Sequence, residues 1–312
     1  MTTEAMALSP ASSGANYRYG LYLVVASTVA WSLAGLFTRL IHLDAWTMLV
    51  WRGLFSGAGL IVVMVLQDGT GALRQFGKLR WAGWSYALVG AAAMVCFITS
   101  LRYTTVAHAA VIYATLPFLA GGLGWLVLRE RPGAGAAAAS FAALVGVALM
   151  VGFGAEGGVL GDVLALVMTV GMAVLIVLGR MYAGIPTMAA AALSAFISAA
   201  AALPFAHVTS VTGQEIVLLA LFGVVNSALG ITLFMLGSRL LPPIETALLG
   251  ALDAPLAPVW VWLVFAETPS LATFIGGGVV FAAVAVHIAR EAIMKRPPRA
   301  RPRPEPALAG KS

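Results

Sequence analysis

An aspartate in the middle of a long apolar run is the residue of this chain best placed to do chemistry. Asp253 lies about ten residues into the stretch Ile244–Phe265, at a depth where a charged side chain costs several kcal/mol unless it is paired or serves a ligand. A carboxylate there suits the ammonium group of a solute or the exchange of a proton, and both roles are open. An offset of 138 residues carries Asp253 onto Thr115 and Thr246 onto His108. Residues seven apart share a helix face. His108 and Thr115 therefore form one polar stripe, and Thr246, Gly250 and Asp253 a second, and two such stripes facing each other would line a cavity. Asn226 shares a face with Gly223, Gly230 and Gly237. Its amide needs a partner in lipid, whether a neighbouring helix or a solute. Trp31 and Tyr113 lie deep in their apolar runs, where an aromatic ring with a polar handle suits stacking on a substrate better than anchoring at an interface. Arg52 could pair a substrate carboxylate, but is expected rather to snorkel or to pair with a helix end.

The same offset links backbone features. Ala109, Pro117 and Glu130 recur as Ala247, Pro255 and, after a one-residue slip, Glu267. Pro117 and Pro255, with Pro258 a turn later, each remove a backbone donor and kink or break a helix. Equivalent kinks in two halves suit gating by a rocking motion, and fixed kinks that only shape packing are the alternative. Glu130 and Glu267 fall at the ends of their runs and read as structural caps.

The elements that position these residues are membrane spans. Of the 312 residues 61% are hydrophobic and 10% charged, and the mean hydropathy is +0.97, against roughly 25% charged residues in soluble domains. About 20 apolar residues cross a hydrocarbon core of about 30 Å. Ten such runs are expected, at Gly20–Leu40, Trp46–Leu66, Trp81–Leu101, Thr105–Leu128, Ala134–Val151, Val159–Tyr182, Met188–Phe205, Ile216–Leu236, Ile244–Phe265 and Leu271–Ile288. Five runs per half is odd, so the second copy enters the membrane from the opposite face. The fold class expected is all-α integral membrane: ten transmembrane helices as two inverted five-helix repeats around a central cavity. The organisation is a cytoplasmic N-terminal segment at 1–19, a first repeat at 20–152, a second at 159–290, and a disordered, basic, proline-rich cytoplasmic tail at 291–312.

Basic residues set the orientation, because Lys and Arg collect in short cytoplasmic loops. With ten spans, 15 of the 18 Lys and Arg fall on the side of the termini, two (Arg39 and Arg102) on the other, and Arg52 within a span. Both termini are therefore expected in the cytoplasm. The net charge of +6 is a topology signal and calls for no nucleic acid. The single cysteine, Cys96, excludes disulfides and cysteine-rich metal sites.

Trp31-Ser32, Arg52, the Ala109–Pro117–Glu130 stretch and its copy resemble the EamA-type repeats of the drug/metabolite transporter superfamily, over roughly residues 20–290. Within it the chain is similar to the YddG-type bacterial exporters of aromatic amino acids. The resemblance implies a multi-pass plasma-membrane exporter with a cavity between its halves. The second half departs from the pattern with Ala173 in the place of the tryptophan and with Ala266-Glu267-Thr268 in the place of Arg129-Glu130-Arg131.

Rival classes lack their signatures. The sequence has no His-Glu-x-x-His pair and no Walker A loop, and no filter motif of a channel. The expectation is a secondary carrier, not an enzyme, without metal or cofactor, moving amino acids outward across the bacterial inner membrane by alternating access. Its partners are the small solute and the lipid bilayer, with proton coupling and uniport both open. Multidrug or other metabolite efflux is the alternative.

Overall fold

The computed structural model describes residues 10–104, 106–151, 158–182, 184–266 and 268–294. These are helical almost throughout: α1 (Pro10–Ser32), α2 (Ala34–Leu40), α3 (Ala45–Asp68), α4 (Arg74–Gly77), α5 (Trp81–Tyr103), α6 (Val106–Tyr113), α7 (Leu116–Leu128), α8 (Ala134–Val151), α9 (Val159–Met181), α10 (Thr187–Ala202), α11 (Gly213–Leu221), α12 (Gly230–Ser238), α13 (Pro243–Gly250), α14 (Asp253–Phe265) and α15 (Leu271–Met294). A π-helical segment, Phe222–Leu229, joins α11 to α12. Among the described residues nine helical spans are long and apolar enough to cross a membrane, and Ala134–Met150 is a shorter apolar helix.

Two departures from the expected boundaries matter. Helix α1 begins at Pro10, inside the segment expected to lie outside the first span, and Tyr17 is buried in the core. Helix α15 runs on to Met294, past the expected start of the tail, and residues 295–312 lie outside the described residues.

The expected fourth and ninth spans, Ala109–Leu128 and Pro243–Phe265, are each two consecutive helices. The fourth is interrupted at Ala114 and Thr115 between α6 and α7, the ninth at Ala251 and Leu252 between α13 and α14. Proline is the cause. Pro117 has no N–H for the carbonyl of Tyr113, nor Pro255 for that of Ala251, and each ring crowds the preceding turn. Both spans also end alike: Arg129 and Ala266 close α7 and α14 in the left-handed region, at φ 58° and 55°. That conformation costs a residue with a Cβ about 1–2 kcal/mol. It recurs at equivalent places because both chain reversals have the same shape.

Packing follows the repeat. Helix α1 packs on α12 as α5 packs on α9, α3 on the π-helical segment as α10 on α5, and α7 on α9 as α14 on α1. The pairs α3–α10, α7–α13 and α8–α15 link equivalent spans to each other. Exchanging the halves therefore reproduces the neighbours. The α8–α15 crossing depends on glycine. A Cβ on Gly146 would stand 2.7 Å from the Gly276 carbonyl oxygen, and one on Gly276 would overlap the Gly146 carbonyl. Only hydrogen side chains let the two backbones come this close.

Candidate functional site

The interruptions in the fourth and ninth spans frame the candidate site. Asp253 is the first residue of α14, where the partial positive charge of a helix N-terminus favours a carboxylate. It is half-buried and has no hydrogen bond or ion pair to any described residue. Three residues earlier, a Cβ on Gly250 would meet nothing within 4 Å, so the end of α13 leaves a gap in the packing just ahead of the interruption. Tyr113, the last residue of α6, lies within electrostatic range of Asp253, which brings the two interruptions together.

Aromatic rings complete this surface. Tyr113 and Phe234 pack against the same buried cluster, built on Leu116, Ala120, Ala173, Ile176 and Ala247. The Phe234 ring is in turn 4.8 Å from that of Trp31. Gly230 makes room for the indole, since a Cβ there would stand 2.6 Å from Trp31 Nε1. Phe234 was not expected from the sequence. Its signal was its spacing of four and three from Gly230 and Gly237, on the face already singled out.

The Trp31-Ser32 pair ends α1, where the last carbonyls of a helix lack intrahelical partners. Asn226 donates to the carbonyls of Ala30 and Trp31, both at 2.8 Å. Ser32 Oγ accepts from Trp260 Nε1 at 2.8 Å. One short stretch thus binds the π-helical segment and α14 to α1. Asn226, at 3% exposure, spends its amide on that joint, so the partner it needs is supplied by a neighbouring helix.

Thr246 is likewise held within the helices. It is fully buried, and its hydroxyl donates to Pro242 O at 3.0 Å. Thr115 is half-buried at the start of α7 and donates to Ile112 O at 2.6 Å. The second polar stripe therefore opens only at Gly250 and Asp253. Of His108 the backbone lies in α6, and its side chain lies outside the described residues, as does Glu267.

Arg52 does not snorkel. Its Nη2 is 2.8 Å from Met94 Sδ, and its guanidinium sits 5.3 Å from the Phe222 ring centre. At one end of the bundle Glu130 Oε1 accepts from Arg180 Nε at 2.9 Å, and Arg180 Nη1 donates to the Leu241 carbonyl. That contact ties the end of α7 to α9 and to the approach to α13. Arg39 stands over the Phe265 ring, 5.9 Å from its centre, at the end of α14. Each arginine closes off the C-terminal end of an interrupted span.

No curated protein matches the chain. Twenty-nine chains of solved structures do. One, described only as the crystal structure of a protein, superposes with a TM-score of 0.75 at 20% identity, over 87% of this chain and 98% of its own. It shares the fold. The family model described as the EamA-like transporter family matches residues 18–152 and again 159–289, once on each set of helices that exchange neighbours, and the chain belongs to that family.

Proposed function

We propose that this member of the EamA-like transporter family is a ten-span secondary carrier that exports amino acids, aromatic and other neutral ones, across the bacterial inner membrane. The observation that carries the reading is the carboxylate of Asp253, half-buried and without a hydrogen bond or ion pair to any described residue, within electrostatic range of Tyr113, which shares a cluster with Phe234, itself against Trp31. An aromatic amino acid has matching chemistry. Its ammonium goes to Asp253 and its side chain to the aromatic rings, where cation and π contacts reinforce each other.

Two inverted five-helix repeats, at 20–152 and 159–290, would rock about this point, with the interruptions at Pro117 and Pro255, and Pro258 in α14, as the places that bend. The Glu130–Arg180 contact is suited to close one end. Basic residues put that end, with both termini, in the cytoplasm. Whether Asp253 holds the ammonium or exchanges a proton separates uniport from proton antiport.

Counterflow of labelled phenylalanine into proteoliposomes, with and without a proton gradient, tests the reading. Competition by large neutral amino acids supports it. Competition by phenethylamine or cationic dyes, with amino acids inert, would favour the second reading of multidrug or metabolite efflux, since a carboxylate among aromatic rings also suits an amine with no acid group.

A further inference from the structure

A second cluster of ionisable groups lies away from the candidate site, where α1, α13 and α15 meet. Glu245 stands in the first turn of α13, His287 and Glu291 one turn apart in α15, and Tyr17 in α1. One ligand atom from each of Glu245, His287 and Glu291 lies within 4.8 Å of the others. Glu245 and His287 are buried, with side chains 9% and 5% exposed.

His287 carries the argument. Its Nε2 is buried with no hydrogen-bond partner among the described residues, and it points at Glu245 Oε1 from 4.0 Å, too far for a hydrogen bond. A buried polar atom left unmade costs about 1–3 kcal/mol, so the arrangement asks for something between the two atoms. The other oxygen of the same carboxylate, Glu245 Oε2, accepts from the Tyr17 hydroxyl at 2.7 Å. That bond fixes the carboxylate so that Oε1 faces the imidazole, the way an outer-shell donor orients a metal-ligating carboxylate.

We propose that Glu245, His287 and Glu291 bind one divalent cation of the Zn²⁺ or Mn²⁺ class. One imidazole with two carboxylates is a donor set these borderline ions accept. Two carboxylates also balance the double charge of the ion, which this low-dielectric position requires. Bonds of about 2.1 Å place neighbouring ligand atoms about 3.0–3.4 Å apart, so the cluster closes on the ion by side-chain rotation of less than an ångström or two. Glu245 also lines a pocket of about 210 Å³ together with Glu130, Arg131 and Pro243. A bound ion would fasten α1 to the start of the interrupted ninth span and so set how freely α13 moves.

The test uses the full-length protein without a histidine tag, stripped with chelator and titrated calorimetrically with Zn²⁺, Mn²⁺ and Mg²⁺. One Zn²⁺ or Mn²⁺ per chain is expected, with Mg²⁺ much weaker and with metal raising the unfolding temperature. His287→Gln can donate from its amide to Glu245 and keep the fold, and it should weaken binding at least about tenfold. Tyr17→Phe should weaken it by a similar factor at unchanged stoichiometry. No binding by the wild-type protein, or affinity unaltered in a folded His287→Gln variant, would overturn the proposal.

Discussion

Replacing Asp253 by asparagine separates a binding carboxylate from a structural one. The substitution keeps the shape of the side chain and removes its charge. Asp253 has no hydrogen bond or ion pair to any described residue, so the amide breaks no such contact within the protein. Removing a charge that only the helix terminus offsets from a low-dielectric position also relieves a cost. The unfolding temperature of Asp253→Asn is therefore expected to equal or exceed that of the wild-type protein. Transport should move the other way. A charge-assisted contact to an ammonium is worth about 1.5–3 kcal/mol, which corresponds to a loss of about 10- to 160-fold in apparent affinity or rate. Both readouts come from one preparation, thermal unfolding in detergent and phenylalanine counterflow after reconstitution. Transport within about threefold of wild type would refute the assignment of Asp253 to the substrate or to a proton. A fall of more than about 3 °C, near 1 kcal/mol for a chain of this size, would show that the carboxylate supports the fold through a contact the argument omits.

Asn226→Leu should be the opposite case, because it orphans the Ala30 and Trp31 carbonyls. A loss of about 2–3 kcal/mol is expected, read as a drop of several degrees in the unfolding temperature, and an unshifted transition would contradict the joint. Gly276→Val drives a side chain into the Gly146 carbonyl, an overpacking cost of at least about 1–3 kcal/mol, to be seen as lost monodispersity or early unfolding, whereas Gly278→Ala, where a Cβ meets nothing within 4 Å, should be tolerated. Asp44 begins α3 by accepting from the backbone N–H groups of Trp46 and Thr47, each at 3.0 Å, and from the Thr47 hydroxyl. Burial raises its proton affinity, but these hydrogen bonds outweigh it and hold the carboxyl below its usual range. A depressed carboxyl stabilises the fold above its unfolded-state value and loses that contribution as pH falls through the folded-state value. Asp44→Ala should cost about 1 kcal/mol at neutral pH, with the difference from wild type shrinking in acid, and a constant difference would exclude the ionised cap.

Much of the fold was legible because a membrane imposes simple constraints. The apolar runs followed from hydropathy, and the interruptions of the fourth and ninth spans followed from Pro117 and Pro255, whose missing donors act locally whatever surrounds them. The candidate site was legible only in part. The polar residues of the two stripes were identified by depth, yet Thr246 turned out to satisfy itself on Pro242 and Asn226 to bind the end of α1. A polar side chain in an apolar span needs a partner, and helical periodicity does not say whether a solute or another helix supplies it. The meeting of Glu245 with His287 was not legible for the same reason, since 42 residues separate them and nothing local joins them.

The sequence by itself determined that the chain lies in a membrane, that its two halves are copies, and where its backbone must break, because hydropathy, repetition and proline geometry are properties of short segments. Only the tertiary structure decided which polar groups are spent on packing and which are left open. That distinction depends on the helices each face meets. Asp253, without a hydrogen bond or ion pair to any described residue, and His287 Nε2, buried and facing a carboxylate it does not reach, became visible only once α1, α13, α14 and α15 had been brought together.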